Sequence, residues 1–361
     1  MKIRVGIMTA DHIEYERYDN GTFLLKNVRI GIDFHWDRRE DQLFEGELEI
    51  MRNADGTETA VNIIDIEDYL TSVISSEMAA SSPIELLKAH AVISRGWLIR
   101  LIERERNRKA TAGTMRQAAF EDGGHVGFDV CADDHCQRYE GLYRRNERAI
   151  EAVNATRGQV LTFQDEICDT RFSKCCGGRS EEFETCWDDI HYPYLESVEC
   201  PYCGRAAEAL KESLNSYDQE TTDFHDWTVT YTQEELSSII REKSGIDFGD
   251  ILALTPLKRG KSGRIYALEI KGTKHCQVIG KELTIRKWLS PKCLYSSWFD
   301  VEITKNADQD TPAGFILHGH GWGHGVGLCQ IGAAEMAHEG FDYTAILEHY
   351  FPNSILKNNY V

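Results

Sequence analysis

A carboxylate occupies a position where a core residue is expected. Ile66, Leu70 and Val73 are spaced four and three residues apart, and Glu77 follows four residues later. On a helix these positions share one face. An apolar face removes hydration from a carboxyl group, which raises its pKa, and an acid that keeps its proton near neutral pH can act as a general acid. The alternative is that the helix ends in solvent and the Glu77 side chain only reaches water.

A second reactive group falls in GGHVGFDVCADDHCQRY, residues 123–139. It contains His125, Cys131, His135 and Cys136. Two thiolates and two imidazoles suit a tetrahedral zinc ion. Four protein ligands leave no open position on the metal, so the predicted site is structural. The alternative is a disulfide between the two cysteines, with two solvated histidines.

Six of the eleven cysteines occur between residues 168 and 205. Cys200 and Cys203 form a CxxC pair, which can chelate a metal, act as a redox pair, or do neither. The sequence predicts a second zinc site with the following ligands: Cys200, Cys203, Cys186 and either Cys175 or Cys176. Free buried thiols are the alternative.

Histidine and glycine alternate in HGHGWGHGVGLCQIGA, residues 318–333. Glycine lets the backbone approach a ligand closely. In an extended strand, His318, His320, Trp322 and His324 would point the same way. Such a face could bind a metal or line a sugar cleft, where the tryptophan would stack on a pyranose ring. The alternatives are core packing for the tryptophan and structural hydrogen bonds for the histidines.

These groups need a scaffold that brings them together. The patterns predict strands over residues 1–60, a helix over 66–78, and a second helix that begins at Ser82-Pro83. We expect an α+β fold with two lobes around a glycan-binding groove, built as one unit over residues 1–361. The predicted parts are a strand-rich segment (1–60), a segment with the catalytic helix and the cysteine blocks (61–205), and a second lobe (206–361).

Composition excludes several classes of function. The chain of 361 residues has a net charge of -19, which disfavours nucleic acid as a partner because phosphate binding needs a basic surface. No segment approaches the roughly 20 apolar residues of a transmembrane helix. The N-terminus lacks the features of a secretory signal. The expectation is therefore a cytoplasmic protein, or one whose leader has been removed from this sequence.

Several ordered blocks resemble the stage II sporulation protein D family, the SpoIID/LytB or amidase-enhancer group. The similar blocks are IEDYLTSVISSEMAASSPIELLKAHAVISR, FDVCADDHCQRYEG, AVNATRGQVLTF, FSKCCGGRSEEFETCWDDIHYPYLESV and HGHGWGHGVGLCQIGAAEMAHEGFDYTAILEHYFPNSIL. The chain departs from the family pattern at four places: Lys174-Cys175 before the glycine pair, Cys186 at an apolar position, the CPYC segment, and Cys329 in place of a serine.

The resemblance implies a lytic transglycosylase that cuts peptidoglycan between N-acetylmuramic acid and N-acetylglucosamine, on glycan stripped of stem peptides. It implies that Glu77 is the catalytic acid. It also implies that zinc binds near the HCQ block, which is the block FDVCADDHCQRYEG with His135, Cys136 and Gln137. The residues then expected to contact the sugar are His324, Gln330, Trp322, Ser173 and Lys174. One alternative is a non-catalytic glycan-binding protein that enhances a cell-wall amidase. Another is a zinc metallohydrolase built on His318, His320 and His324.

Overall fold

The computed structural model describes residues 1–32, 37–111, 125–133, 135–205, 225–305 and 311–358. Helices and strands are mixed along the chain, and the strands form several small sheets. This confirms the predicted α+β class. Within the described ranges, no helix combines the length and the apolar character that a membrane crossing requires.

The strands of the described residues are short. In chain order they are β1 (Lys2–Ala10), β2 (Tyr15–Arg17), β3 (Thr22–Ile30), β4 (Arg38–Glu45), β5 (Glu47–Arg52), β6 (Glu58–Asp65), β7 (Val130–Cys131), β8 (Val160–Phe163), β9 (Glu166–Ile167), β10 (Phe172–Ser173), β11 (Asp226–Thr232), β12 (Ile251–Arg259), β13 (Ile265–Gly272), β14 (Cys276–Ile279), β15 (Phe299–Thr304), β16 (Gly314–His320), β17 (Leu328–Cys329) and β18 (Ile355–Lys357).

The same ranges contain eight α-helices. They are α1 (Ile66–Glu77), α2 (Ile84–Thr111), α3 (Glu147–Ala155), α4 (Phe183–Cys186), α5 (Gln233–Ser244), α6 (Glu282–Trp288), α7 (Gln330–His338) and α8 (Tyr343–Tyr350), with a 3-10 turn at Pro193–Leu195. The predicted helix over 66–78 is thus α1, and the helix predicted from Ser82-Pro83 is α2.

The sheet that leads into α1 has the order β5-β6-β1-β7. Strands β1 and β6 are antiparallel, whereas β7 runs parallel to β1 and pairs Val130 with Val5. Strand β6 passes directly into α1, whose N-cap is Asp65; its side chain accepts the backbone N–H of Glu67. This side-chain cap satisfies one of the free amides at the helix start. The sheet therefore fixes both the start of α1 and the segment that begins at β7.

Buried apolar side chains form two clusters. The first cluster extends from Ile3 to Cys203 and takes up the chain again from Val326 to Phe351. The second cluster lies between these two parts of the sequence, from Trp227 to Leu317. The last part of the chain therefore returns to the core that the first part began. The division into two lobes at residue 206 stays a prediction.

A buried ion pair joins α1 to α2 inside the first cluster. The guanidinium of Arg95 donates to both carboxylate oxygens of Glu67, at 3.0 and 2.6 Å. The Arg95 side chain is 0% exposed and that of Glu67 is 5% exposed. Arg95 also donates to the carbonyl of Gln159 at 3.1 Å, which ties both helices to the approach to β8. Two-point geometry and further hydrogen bonds compensate for the loss of water around these charges.

Replacing Arg95 with methionine should destabilise the protein strongly. The substitution keeps an apolar stem but leaves the Glu67 carboxylate buried without its partner, so we expect a loss of roughly 3–5 kcal/mol in the free energy of unfolding. Urea denaturation followed by circular dichroism measures this loss.

A matched control is available on the surface. Lys357 and Asp165 form an ion pair at 2.6 Å with side chains 40% and 91% exposed. The substitution Lys357→Met should leave the unfolding free energy close to the wild-type value, because water screens this pair. Equal losses for both variants would contradict a special role for the buried pair.

Candidate functional site

Glu77 is the last residue of α1, and its side chain is 9% exposed. The helix is buried on nearly all sides, including the polar residues Ser72, Ser75 and Ser76. Burial therefore does not distinguish the face that Glu77 shares with Ile66. The carboxyl group is enclosed because the whole helix runs through the interior, and the alternative that the helix ends in solvent does not describe the structure.

The segment that follows the predicted zinc ligands His135 and Cys136 runs along the end of α1. The backbone amide of Arg138 donates to Oε1 of Glu77 at 3.2 Å. Two residues later in the same segment, the amide of Glu140 donates to Oγ of Ser76 at 3.3 Å. About one turn earlier in α1, Oγ of Ser72 donates to the carbonyl of Gly141 at 2.7 Å. Residues 138–141 therefore contact the end of α1 through their backbone, and the Arg138 amide is the group of this segment that donates to the carboxyl group.

The four predicted ligands of the first zinc site lie together. The donor atoms of His125, Cys131, His135 and Cys136 are all within 4.8 Å of one another. The separations include 3.3 Å from Nε2 of His125 to Sγ of Cys136, and 3.8 and 3.6 Å from Nδ1 of His135 to the two sulfurs. Around a tetrahedral zinc, bonds of about 2.3 Å to sulfur and 2.0–2.1 Å to nitrogen place these atoms about 3.6 Å apart. The residues therefore fit a tetrahedral ion.

No disulfide replaces this set. All eleven cysteines are free, so the Cys131–Cys136 bridge that the sequence left open is not formed. Both cysteines and His135 belong to the stretch between β7 and the Arg138 amide. An ion held there would fix the stretch that contacts Glu77, two residues after Cys136.

Gln330 lies in the interior rather than on an open surface. Its side chain is 3% exposed, and its Nε2 lies 3.1 Å from Nε2 of the fully buried His90. The other ring nitrogen of His90 lies 3.2 Å from Oγ of Ser94. Burial, and next the positive charge of Lys174, lower the pKa of His90 to about 3. The ring is therefore neutral, with one nitrogen accepting from Gln330 and the other donating to Ser94.

This pair connects the C-terminal motif to the HCQ block. The carbonyl of Ser94 accepts from Nε2 of Gln137 at 3.3 Å, and Oε1 of Gln137 accepts from the hydroxyl of Tyr69 at 3.4 Å. Polar side chains thus link α7, α2 and α1 through the core. His90 and Gln137 were not among the residues singled out from the sequence, although both lie in the quoted family blocks. The predicted contact of Gln330 with a sugar stays a prediction.

The histidine–glycine stretch is not one continuous strand. Strand β16 ends at His320, and the glycines that follow have left-handed backbone angles: φ is 72° at Gly321, 90° at Gly323, 79° at Gly325 and 71° at Gly327. The prediction of one shared face is therefore wrong for the residues beyond the strand, because a left-handed residue turns the chain out of the extended form.

The three histidines of this stretch have separate surroundings. His318 lies 3.1 Å from Glu302, and Nδ1 of His320 lies 2.6 Å from Asp226. His324 is turned inward, where Nδ1 accepts the amide of Val326 at 3.0 Å. None of the metal-competent groups among the described residues contains these histidines. The metallohydrolase alternative therefore lacks its ligand set.

His324 is built into the structure by several contacts. Its ring lies 4.9 Å from that of Trp187, and the backbone of Phe172 is a further hydrogen-bond partner. Burial, and next the charge of Arg171, lower the pKa of His324 well below its ordinary value, so the ring is neutral at physiological pH. Trp322 contacts Cys175 through two backbone hydrogen bonds of 2.8 and 3.0 Å. Sugar contacts of both residues stay predictions.

The segment before the glycine pair is paired with the C-terminal motif. Strand β10 runs parallel to β17, with Ser173 opposite Cys329. Oγ of Ser173 is buried without a hydrogen-bond partner among the described residues. Lys174 lies close enough to His90 to lower the pKa of that ring. The structure thus brings both predicted residues to the motif that holds Gln330.

A buried arginine that the sequence analysis missed joins these blocks. Arg264 is 0% exposed and donates to the carbonyls of Cys176 and Gly323, each at 3.1 Å, and to Oγ of Ser262 at 3.1 Å. The carboxylate of Glu181 accepts from the same hydroxyl at 2.6 Å. Arg264 lies in the turn GKSGR, where the sequence shows neither helix nor strand periodicity. The glycine-rich turn was the only indication of a close approach.

The alternating glycines accommodate this arginine. A Cβ atom at Gly321 would lie 2.8 Å from Nη2 of Arg264, and one at Gly325 would lie 2.4 Å from its Cζ. The sequence predicted a close approach of the backbone to a ligand. In the structure, the group that approaches is a side chain of the protein itself.

The cysteines that lie together in the structure differ from those predicted for the second zinc site. Cys200 and Cys203 lie with Cys176 and Cys329, and these four sulfurs are within 4.8 Å of one another. Cys186 is elsewhere, at the end of α4, where its thiol contacts the carbonyl of His324 at 3.6 Å. Cys186 was therefore wrongly assigned, because the short helix α4 directs it away from the CxxC pair. The sequence gave no reason to include Cys329.

Comparison with known proteins identifies the class. The family model described as Stage II sporulation protein matches residues 54–163, which include Glu77 and the four ligands of the first site. A second model, a domain of unknown function (DUF8618), matches residues 181–327. The two models together cover the buried carboxyl, the predicted metal ligands of the first site and the glycine-rich stretch as far as residue 327.

Relatives are similar over most of the chain. An uncharacterized protein of Brachyspira hyodysenteriae is 30% identical over 82% of this chain and 67% of its own length. Stage II sporulation protein D of Bacillus amyloliquefaciens is 26% identical over 81% of this chain and 74% of its own length. The amidase enhancer of Bacillus subtilis is 24% identical over 80% of this chain but only 40% of its own length. The chain belongs to the SpoIID family.

Acid should destabilise the protein partly through His90. The folded-state pKa of about 3 lies below the ordinary 6.5, so below pH 6.5 the unfolded chain takes up a proton that the folded chain refuses. Stability is therefore lost as the pH falls. Between pH 7 and pH 5, we expect wild type to lose about 2 kcal/mol more unfolding free energy than His90→Gln.

Urea denaturation at both pH values measures this difference. His12, whose side chain is 77% exposed, provides the control, and His12→Gln should show the wild-type dependence on pH. A wild-type curve parallel to that of His90→Gln would mean that the folded protein protonates His90 readily.

Proposed function

We propose that the protein is a peptidoglycan lytic transglycosylase, with Glu77 as its acid and then its base. The substrate would be glycan without stem peptides, cut between N-acetylmuramic acid and N-acetylglucosamine. The observation that carries this proposal is the contact of 3.2 Å between Oε1 of Glu77 and the amide of Arg138. It places the carboxyl group against the HCQ block in a region that matches the Stage II sporulation protein model.

One carboxyl group is sufficient for this reaction. Glu77 gives its proton to the bridging oxygen, the bond from C1 of the muramic acid to that oxygen breaks, and an oxocarbenium-like centre forms. The C6 hydroxyl of the same sugar then attacks C1 and returns its proton to Glu77. The products are a 1,6-anhydro end and a free 4-hydroxyl, and no water is consumed. The neighbouring hydroxyl replaces the second carboxylate that glycoside hydrolysis needs.

The surroundings of Glu77 support a role as acid. It lies at the C-terminal end of α1, where the backbone carbonyls carry partial negative charge, and the last turn holds no basic residue. Partial burial also removes water from the carboxyl group. The first step of the proposed reaction requires the protonated form of this carboxyl group.

Zinc in the Cys2His2 set would be structural. Four protein ligands complete a tetrahedral shell, so the ion would supply rigidity rather than a bound water. Its ligands His135 and Cys136 directly precede the residues that contact Glu77. The ion would therefore fix the position of the acid through the backbone.

Glu77→Gln should abolish product formation while the protein stays folded. Glutamine has nearly the same shape and can accept the Arg138 amide, but it cannot give a proton. We expect the release of anhydro-muropeptides from denuded glycan to fall by a factor on the order of 10²–10⁴. Mass spectrometry of the products measures the rate.

Glu147, an exposed carboxylate on α3, provides the control. Glu147→Gln should keep the wild-type rate. A Glu77→Gln protein as active as wild type would refute the assigned role. A wild type that binds glycan and releases nothing would favour the second candidate, a non-catalytic enhancer of a cell-wall amidase, which the similarity to the amidase enhancer of Bacillus subtilis supports.

Loss of the first metal site should slow the reaction. In the double variant Cys131→Ser, Cys136→Ser, we expect one bound zinc per chain fewer than in wild type and a reduced kcat. Elemental analysis and a rate measurement on the same sample test both parts. Cys276→Ser changes an exposed cysteine and should alter neither value. An unchanged metal content in the double variant would contradict the site.

A further inference from the structure

Four buried cysteines form a group that the proposed reaction does not use. Cys176, Cys200, Cys203 and Cys329 are between 0% and 2% exposed, and their sulfurs lie within 4.8 Å of one another. We propose that these residues, the four-cysteine cluster, bind one structural zinc ion. The inference does not depend on the glycan chemistry of Glu77.

The spacing of the sulfurs fits a single tetrahedral ion. Sγ of Cys176 and Sγ of Cys203 are 3.6 Å apart. Four zinc–sulfur bonds of about 2.3 Å in a tetrahedron place neighbouring sulfurs about 3.8 Å apart. A disulfide requires about 2.0 Å, and all four thiols are free. Soft thiolate donors in a tetrahedral arrangement favour zinc over the hard cations.

The sulfurs also receive the hydrogen bonds that metal-bound thiolates need. Sγ of Cys329 accepts the backbone amides of Cys176 and Gly332, each at 3.3 Å. The hydroxyl of Tyr350, which is fully buried, lies 3.1 Å from Sγ of Cys200. Such donors orient the ligands and stabilise their negative charge.

The cluster is closely packed on the side of Gly332. A Cβ atom at Gly332 would lie 2.3 Å from the hydroxyl of Tyr350 and 2.5 Å from Sγ of Cys200. Positive charge is close by, because the buried guanidinium of Arg264 donates to the carbonyl of Cys176. Four thiolates around a dication carry a net charge of minus two, so this neighbour reduces the cost of burying the site.

The ligands come from three separate parts of the chain. Cys176 follows β10, the CxxC pair lies in the loop after residue 199, and Cys329 caps the start of α7. One ion would therefore join the CCGG segment, the CPYC segment and the C-terminal motif. In this arrangement the metal replaces covalent cross-links in holding β10 against β17, and its binding free energy contributes to folding.

Metal content measured by elemental analysis tests the proposal. Cys203→Ser should contain one zinc per chain fewer than wild type, and Cys200→Ser should lose the same equivalent. Cys186→Ser is the matched control, because this thiol is also buried but lies outside the cluster. Cys175 contacts Cys203 and Cys329, so Cys175→Ser is the sharper control. Both controls should keep the wild-type content.

A second variant covers a failure of the serine variants to fold. Cys203→His keeps a ligand, so it should retain the metal. After exchange with Co²⁺, wild type should show sulfur-to-cobalt absorption from both sites, and Cys203→His should show a shifted and weaker band. Glu77→Gln should retain every equivalent, which separates this test from that of the proposed reaction.

Three outcomes would overturn the proposal. The first is a wild type whose entire metal content disappears in the Cys131→Ser, Cys136→Ser double variant. The second is an equal loss in Cys175→Ser or Cys186→Ser. The third is iron in place of zinc in the equivalent that Cys203→Ser removes.

Discussion

Most of the site depends on the hydrogen bonds that the buried guanidinium of Arg264 donates. It belongs to the second hydrophobic cluster by sequence, yet it donates to carbonyls of the CCGG segment and of the glycine-rich stretch. Hydrogen bonds to a charged donor are strong, and an unmatched buried charge is costly. The backbone around Arg264 is therefore held in one arrangement. A larger residue at Gly321 or Gly325 would collide with the guanidinium.

The clustering of the predicted zinc ligands and the position of Glu77 could be predicted because these residues lie in two short stretches of sequence. Helical spacing placed Glu77 at the end of α1, and the short loops between His125 and Cys136 can close around an ion with little ordering. The predicted alternation in β16 also held as far as His320. Beyond that point the expectation failed, because the strand pattern does not reveal the left-handed angles that begin at Gly321. Backbone angles of that kind depend on what packs against the chain, here Arg264.

The remaining parts could not be predicted because they depend on long-range pairing. Cys329 joins the CxxC pair only because β17 pairs with β10, and Gln330 contacts His90 across 240 residues. A local pattern carries no information about such partners. The α+β class was predictable from the mixture of strand and helix signals, whereas the return of the last segment to the first cluster was not. The inward orientation of His324 could not be predicted either, because it depends on contacts with residues distant in sequence, such as Trp187.

The order of the two hydrophobic clusters along the chain affects how the protein is made. Among the described residues, those from Trp227 to Leu317 supply the whole of the second cluster. The first cluster needs Val326 to Phe351 as well as the N-terminal part. Domains fold as they emerge from the ribosome, N-terminal parts first. Here all residues of the second cluster have emerged before the last residues of the first cluster. The N-terminal part, with its helices α1 and α2, must therefore keep apolar surface exposed until residues 326–351 have been synthesised, which is the interval when a chaperone is of most use.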